Sequence, residues 1–539
     1  MIEGMSLGIA PPRGLIGSSA AFCEGRVGEN SIYALLHREG GRLFSDELFA
    51  DLFTGVGRRS VPPSIVAVVM VLQRIEGCSD REAVDRFAYD LRWKYAAGGL
   101  DYDYPSFVHT VLVDMRARLA VSDRPDRIFE VVLDVCRQAG LVGRRRVLDS
   151  TALYDAVATM DTVTLVRSAI RGLLAVCDGA LERELRALLA RDDDYASAGK
   201  PVCDYEDPAA REALIDALAR DAYALLGALE GRELDDAVAQ AVALLATVVG
   251  QDLQRGADGS FVIVRGVARD RVISTVDPEA RHGHKTRNRG FDGYKGHVAV
   301  DPDNEIITNT TVTAGNVGDG AAALELLTDE LAAPDETPPQ ADDQTADDDA
   351  PLAVYGDSAY GAGAVLAALD GANAQIMCKI QAPNNSDGRY GRDAFQIDIA
   401  AGTVTCPAGQ TAIFGALHRD GGRTARFGDC AGCPLASACT TSPAGRSIHI
   451  DAHEPVRAKA RAQQADPAWQ QDYKATRPTV ERKLSHLMRR KHGGRRARMR
   501  GTSKIDADFR LLASAANLQR LAILGLTGRA GRIWSIKTA

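Results

Sequence analysis

Two stretches of the chain run an apolar strand into a carboxylate followed by serine. One is RRRVLDSTALYDA, at Asp149-Ser150, and the other is LAVYGDSAYGAG, at Asp357-Ser358. An acid at the polar end of a buried strand, used twice, constrains the fold more than any other feature of the sequence. Strand patterns also occur at FVIVRG, DRVIST, GYKGHVAVD and EIITNTTVTAGN, with helical segments AAALELLTDELAA and AGAVLAALDG on either side of the second acid. YKGHVAVD and EIITNTTV, joined by Pro-Asp-Asn, predict a β-hairpin. A strand ending in Asp149, a hairpin, a helix and a strand ending in Asp357 together predict an α/β sheet on which the two acids converge.

Helical periodicity dominates elsewhere. SIVAVVMVLQRIEG predicts an apolar helix closed by Gly77, and Ser79 with Glu82 forms a capping box that opens the next one. That second helix, DREAVDRFAYDLRWKYAAG, has a seam at Val84, Phe87, Ala88, Leu91 and Tyr95, and a basic face at Arg81, Arg86, Arg92 and Lys94. Helix, tight turn and basic helix are the outline of a helix-turn-helix reader of DNA, and equally of plain helical packing. Residues 160–255 predict a block of helices inserted between strands, and residues 376–455 an irregular, glycine-rich segment.

Two adjacent carboxylates repel each other unless a cation stands between them. A pair of Mg²⁺ ions about 4 Å apart is the usual solution in phosphoryl transfer, and a few carboxylates suffice to hold it. A third acid is available in YKATRPTVER. Tyr473, Arg477 and Glu481 are spaced four and four and so share one helical face, with a kink or helix start expected at Pro478. Arg477 suits a bidentate grip on phosphate; a surface ion pair with Glu481 is the bland alternative. Trp469, just before this segment, reads as core packing, with base stacking as its alternative.

Charge is segregated along the chain. The net charge of −8 hides an acidic run at 335–349, expected to be a flexible linker, and nine Lys and Arg with no acid in 482–500. The basic run is a candidate footprint for phosphates. In RHGHKTRNRGFDGYKGH, residues 281–297, phosphate contact by Arg281, Lys285, Arg287 and Lys295 is preferred to a metal role for His282 and His284. His297 follows Lys295 on the same strand face. Most of the ten cysteines are scattered and read as buried thiols of a reducing cytosol. Cys406, Cys430, Cys433 and Cys439 are different: the CxxC unit makes them a candidate four-thiolate Zn²⁺ site that would fold the insertion. No run of eighteen apolar residues predicts a membrane span, and the N-terminus lacks the pattern of a secretory signal.

VLDSTAL, DPEARHGHKTRNRGFDGYKGHVAVD, AVYGDSAYG and Tyr-x3-Arg-x3-Glu occur in an order that resembles the DDE transposases of bacterial insertion sequences. The likeness runs from about residue 45 to 525. It implies an α/β RNase H-like catalytic core, a mixed sheet flanked by helices, with an all-α N-terminal domain and with helical and Cys-containing insertions. It implies a metal-binding triad of Asp149, Asp357 and Glu481 holding two Mg²⁺ or Mn²⁺ ions. Tyr473 and Arg477 match the signature around the third acid. Lys295, His297, Arg281, Lys285, Arg489 and Arg490 are the further expected DNA contacts. Two departures concern the grip on DNA. The position seven residues after the Glu, often Lys in related sequences, is Met488, and the gap from Tyr to Arg is one residue longer than the common form.

The expected organisation is a helical DNA-binding domain at 1–140, the first core strand at 141–160, a helical insertion at 161–258, and more core at 259–375 with an acidic segment at 334–350. A Cys-containing insertion at 376–455 and C-terminal helices with the Glu and the basic run at 456–539 follow. The implied activity is metal-dependent cleavage of double-stranded DNA at transposon ends and transfer of the strands into target DNA. A homodimer is expected to hold two terminal inverted repeats in the cytoplasm, at the nucleoid, with no membrane partner. A catalytically inactive or repurposed DNA-binding protein and a purely hydrolytic RNase H-like nuclease are the alternatives.

Overall fold

The computed structural model describes residues 17–55, 57, 59–286, 288–332, 350–381, 388–528 and 534–536. The acidic run at 335–349 and Arg287 lie outside the described residues. A mixed sheet forms the centre: β1 (Arg145–Tyr154), β2 (Arg281–Thr286), β3 (Arg289–Asp301), β4 (Ile306–Ala314), β5 (Ala353–Gly356) and β6 (Gln375–Cys378). β3 pairs antiparallel with β1 and with β4, whereas β5 runs parallel to β1, and β6 parallel to β5. The spatial order β4-β3-β1-β5-β6 therefore puts the two acid-bearing strands side by side. The hairpin of β3 and β4 turns at residues 302–305, as the Pro-Asp-Asn signal requires.

Each face of the sheet has its own apolar layer. One core combines Leu148, Ala299 and Val354 with the helices Asp319–Leu326, Gly363–Gly371 and Glu454–Gln464. The other combines Val147, Val298 and Tyr355 with the N-terminal helices and with Thr502–Ile523. The helices Thr162–Val176, Gly179–Arg186, Pro208–Leu229 and Asp236–Asp252 bury a separate core of their own.

The helix-turn-helix outline needs correction. Pro63–Glu76 is buried along most of its length and packs against Thr502–Ile523, so it is a core helix of the whole molecule. The helix expected from Asp80 onward breaks at Asp90, whose carboxylate accepts from Arg92 N and so caps a second helix, Leu91–Ala96. Lys94 leaves the basic face: its ammonium is buried on the carbonyls of Tyr102 and Tyr104. DRVIST forms no strand, and Phe261–Ile263 pairs with Leu253–Arg255 beside the inserted helices, outside the central sheet.

Candidate active site

Sheet register brings the first two acids together. Val147 pairs with Tyr355 in the parallel ladder, and Asp149 and Asp357 each lie two residues further on. Asp149 is still within β1, whereas β5 ends at Gly356. The Asp357 carboxylate accepts from Ala359 N at 2.9 Å and so closes the turn after its strand. The third acid comes from the helix pair Pro467–Thr476 and Pro478–Leu487. Pro478 occupies the first helical turn, where its missing N–H costs nothing, and Arg477 sits at the joint.

Arg477 gathers all three. Its Nη1 donates to Asp149 Oδ2 at 3.2 Å and its Nη2 pairs with Asp149 Oδ1 at 3.1 Å. Nη2 also lies 3.9 Å from Asp357 Oδ2, and Nη1 lies 3.9 Å from Glu481 Oε1. The Arg477 side chain is 8% exposed, against 16% for Asp149, 46% for Asp357 and 64% for Glu481. Burial raises the Asp149 carboxyl above its ordinary range; Arg477 and the Ser150 N–H oppose that shift, and Asp357 adds to it.

Tyr473 is a support. Its hydroxyl donates to the carbonyl of Gly356, the residue before Asp357, at 3.2 Å. Its ring stacks on Trp469 at 5.0 Å, and Trp469 Nε1 donates to Ile376 O at 3.2 Å. Trp469 is thus core packing between helix and sheet. His297 is wholly buried, with Nε2 against Thr313 Oγ1 at 2.9 Å; it does not line the cleft, and burial pushes its pKa down to about 4. The Tyr473 and His297 side chains are both buried, although His297 shares its strand face with Lys295.

Of the basic candidates, Lys285 and Lys295 line the cleft with the acids. Lys295 is already engaged, donating to Asp319 Oδ1 and to Val317 O, both at 2.8 Å. Arg281 turns away to Asp270 at 2.8 Å and to backbone carbonyls. His282 pairs with Asp292 at 2.7 Å. Arg489 and Arg490 are exposed and do not line the cleft. Arg495, further along the same run, does line it.

Two groups in the site were not singled out from sequence. Asp319 is a fourth carboxylate in the cleft; it accepts from Ser150 Oγ at 2.7 Å as well as from Lys295. Tyr360 is wholly buried and its hydroxyl has no hydrogen-bond partner, while Asp319, Asp149 and Asp357 raise its pKa through their charge after burial has done so. Its signal was the Asp-Ser-Ala-Tyr stretch after the second strand. Asp319 had only a Gly-Asp-Gly loop, which reads as a turn.

The four cysteines of the insertion line one small enclosed cavity, and all are free thiols. Burial pushes the Cys439 thiol up; Arg446 opposes this and the other three thiols add to it. Among the described residues no three His, Cys, Asp or Glu side chains stand as a ready metal-ligand group, here or at the acids.

Two models of known families match parts of the chain. A model of the Transposase domain (DUF772) matches residues 29–118, and one of the Transposase DDE domain matches residues 405–522. Over these two stretches the chain is similar to transposases of the DDE kind. The DDE match spans Tyr473, Arg477, Glu481 and the four cysteines, and the other covers the helices around Pro63–Glu76. No curated protein and no solved structure matches the chain. DDE transposases act on DNA and use divalent metal ions. No helix among the described residues is long and apolar enough to cross a membrane.

Proposed function

We propose that this transposase cuts DNA at the ends of its element and joins the freed 3′ ends to target DNA, using Asp149, Asp357 and Glu481 on an RNase H-like core. The strand order, with an antiparallel hairpin beside β1 and two parallel strands on its other side, supports that core. The observation that carries the reading is the convergence of the three acids on one guanidinium, within 3.9 Å of it at most. Residues 328 and 124 positions apart in sequence from Arg477 and Glu481, respectively, meet only because the fold brings them there.

The donors fit a hard divalent cation: they are carboxylate oxygens, and a positive charge already stands among them. When bound, a pair of Mg²⁺ or Mn²⁺ ions supplies charge stabilisation for in-line phosphoryl transfer. Asp149 is held within β1, Asp357 by the turn after β5 and Glu481 by its helix, so the three acids come from three elements. Lys285 and Arg495 stand at its wall to receive backbone phosphates, and the exposed Arg489 and Arg490 extend that basic surface. Two copies of the chain pair the two transposon ends. In the insertion, the shared cavity supports Zn²⁺ held by Cys406, Cys430, Cys433 and Cys439.

The test is a cleavage and joining assay on duplexes carrying the terminal inverted repeats, with Mg²⁺ or Mn²⁺. Nicked ends and joined product are expected, both abolished by Asp357→Asn. Binding without nicking would make the chain a DNA-binding protein only, and nicking without joining would make it a nuclease.

A further inference from the structure

The position of Arg477 raises a question that the proposed function leaves open. Hard divalent ions sit about 2.1 Å from carboxylate oxygens. A guanidinium standing between the same oxygens occupies that space. The contacts are unequal: Arg477 meets Asp149 through two nitrogens at 3.1 and 3.2 Å, but reaches Asp357 and Glu481 only at 3.9 Å. Its Nε is buried and has no hydrogen-bond partner. The guanidinium is therefore firmly paired with one acid, loosely paired with two, and incompletely satisfied.

We propose that Arg477 is the resident counter-ion of the site, holding the three acids together without metal and giving up its place between them when divalent ions bind. Three carboxylates gathered in a folded protein repel one another unless a cation accompanies them. Arg477 supplies that cation, and so the fold can assemble before metal arrives. The ions then compete with it for Asp357 and Glu481, where its hold is weakest. Arg477 sits at the joint between two helices, with helical backbone angles of φ −56° and ψ −37°, so a change of side-chain rotamer suffices and the helices need not move. Released from the two distant acids, the guanidinium is free to face a phosphate in the cleft. It is in this sense a positioning residue for the metal-free site. The inference rests on the proposed metal-dependent function.

The full-length chain, without DNA, tests it. Mn²⁺ binding is measured by calorimetry, and thermal unfolding is followed in EDTA and in saturating Mn²⁺, for the wild type, Arg477→Met and Arg477→Lys. Arg477→Met is expected to melt below the wild type in EDTA, to close that gap in Mn²⁺, and to bind Mn²⁺ about tenfold more tightly, because the competing state is gone. Arg477→Lys keeps the charge but loses the two-nitrogen grip on Asp149, so it is expected to bind Mn²⁺ more tightly than the wild type by a smaller factor. Should Arg477→Met fail to fold, as judged by circular dichroism, the Lys variant decides. Equal or weaker Mn²⁺ binding by the folded variants, or a melting deficit that metal leaves unchanged, overturns the proposal. If the wild type cuts transposon ends and the variants bind metal no more tightly, only the exchange falls. A wild type that binds no divalent ion and cuts nothing removes the metal reading as well.

Discussion

At the scale of single residues, the three acids are not equivalent. Asp149 is largely buried and hydrogen-bonded to Arg477, whereas Glu481 is mostly exposed and touches it only at 3.9 Å. Removing Asp149 leaves a buried guanidinium with weak partners. Asp149→Ala is therefore expected to destabilise the fold by about 1–3 kcal/mol, and Glu481→Ala by no more than about 0.5 kcal/mol, in urea unfolding at pH 7. Both are expected to abolish cleavage, so stability separates what activity does not. His297 offers a test in pH. It is buried neutral, with its pKa lowered to about 4 by burial, while the unfolded chain takes up the proton near pH 6.5. The sign follows from linkage: the contribution of His297 is complete above pH 6.5 and is lost as pH falls toward 4, by a few kcal/mol at most. Unfolding measured at pH 7 and pH 5 is expected to show a smaller pH dependence in His297→Gln than in the wild type. An unchanged difference would mean that His297 is protonated or hydrated in the folded state.

At the scale of elements, Tyr473 and Trp469 show how a helix sets a strand end. Tyr473→Phe removes the donor to the Gly356 carbonyl, next to Asp357, and is expected to cost about 1 kcal/mol and to lower the cleavage rate more than DNA affinity. Trp469→Ala is expected to cost about 3–5 kcal/mol through the cavity that it leaves. Loss of DNA affinity without loss of stability in Trp469→Ala would instead indicate base stacking. The hairpin and the strand ends were legible because alternation and turn chemistry are local. The convergence of distant acids was foreseen from strand order, although the sequence does not print the register that places Asp149 level with Asp357. The break at Asp90 was hidden because the apolar seam from Val84 to Tyr95 runs through it, and the cap is a local choice that periodicity does not record. Asp319 escaped because its partners, Ser150 and Lys295, sit on two other elements, and only the fold brings the three together. His297 does share its strand face with Lys295, but strand alternation does not tell which residues of a face are covered, and His297 is wholly buried.

At the scale of the whole molecule, the N-terminal helices and the sheet share one apolar core, whereas the helices between residues 162 and 252 bury another. Polar ties reinforce the first union. Arg74, in Pro63–Glu76, pairs with Asp508 at 3.0 Å and donates to the carbonyl of His492, and His492 contacts the carbonyl of Ile75. Gly77, at φ +68°, lies so close to this stretch that an added Cβ would come within 2.7 Å of Gly493 N and Lys491 O. The basic run is thus fastened onto the N-terminal helices, and its exposed arginines keep a fixed relation to the cleft. A chain truncated to residues 141–539 would expose the apolar surface that Pro63–Glu76 covers on Thr502–Ile523, as well as leaving Asp508 without Arg74. It is expected to lack a cooperative unfolding transition and to bind a hydrophobic dye, although every proposed catalytic acid is retained. Hydrogen exchange on the full-length chain is expected to give the matching picture. Amides of Pro63–Glu76 and of β3 should open together at the highest free energy, while those of Thr162–Val176 and Asp236–Asp252 open as a separate unit. A truncated chain that melts cooperatively, with the sheet as protected as in the parent, would show that the two regions fold independently and that the shared core is only an interface.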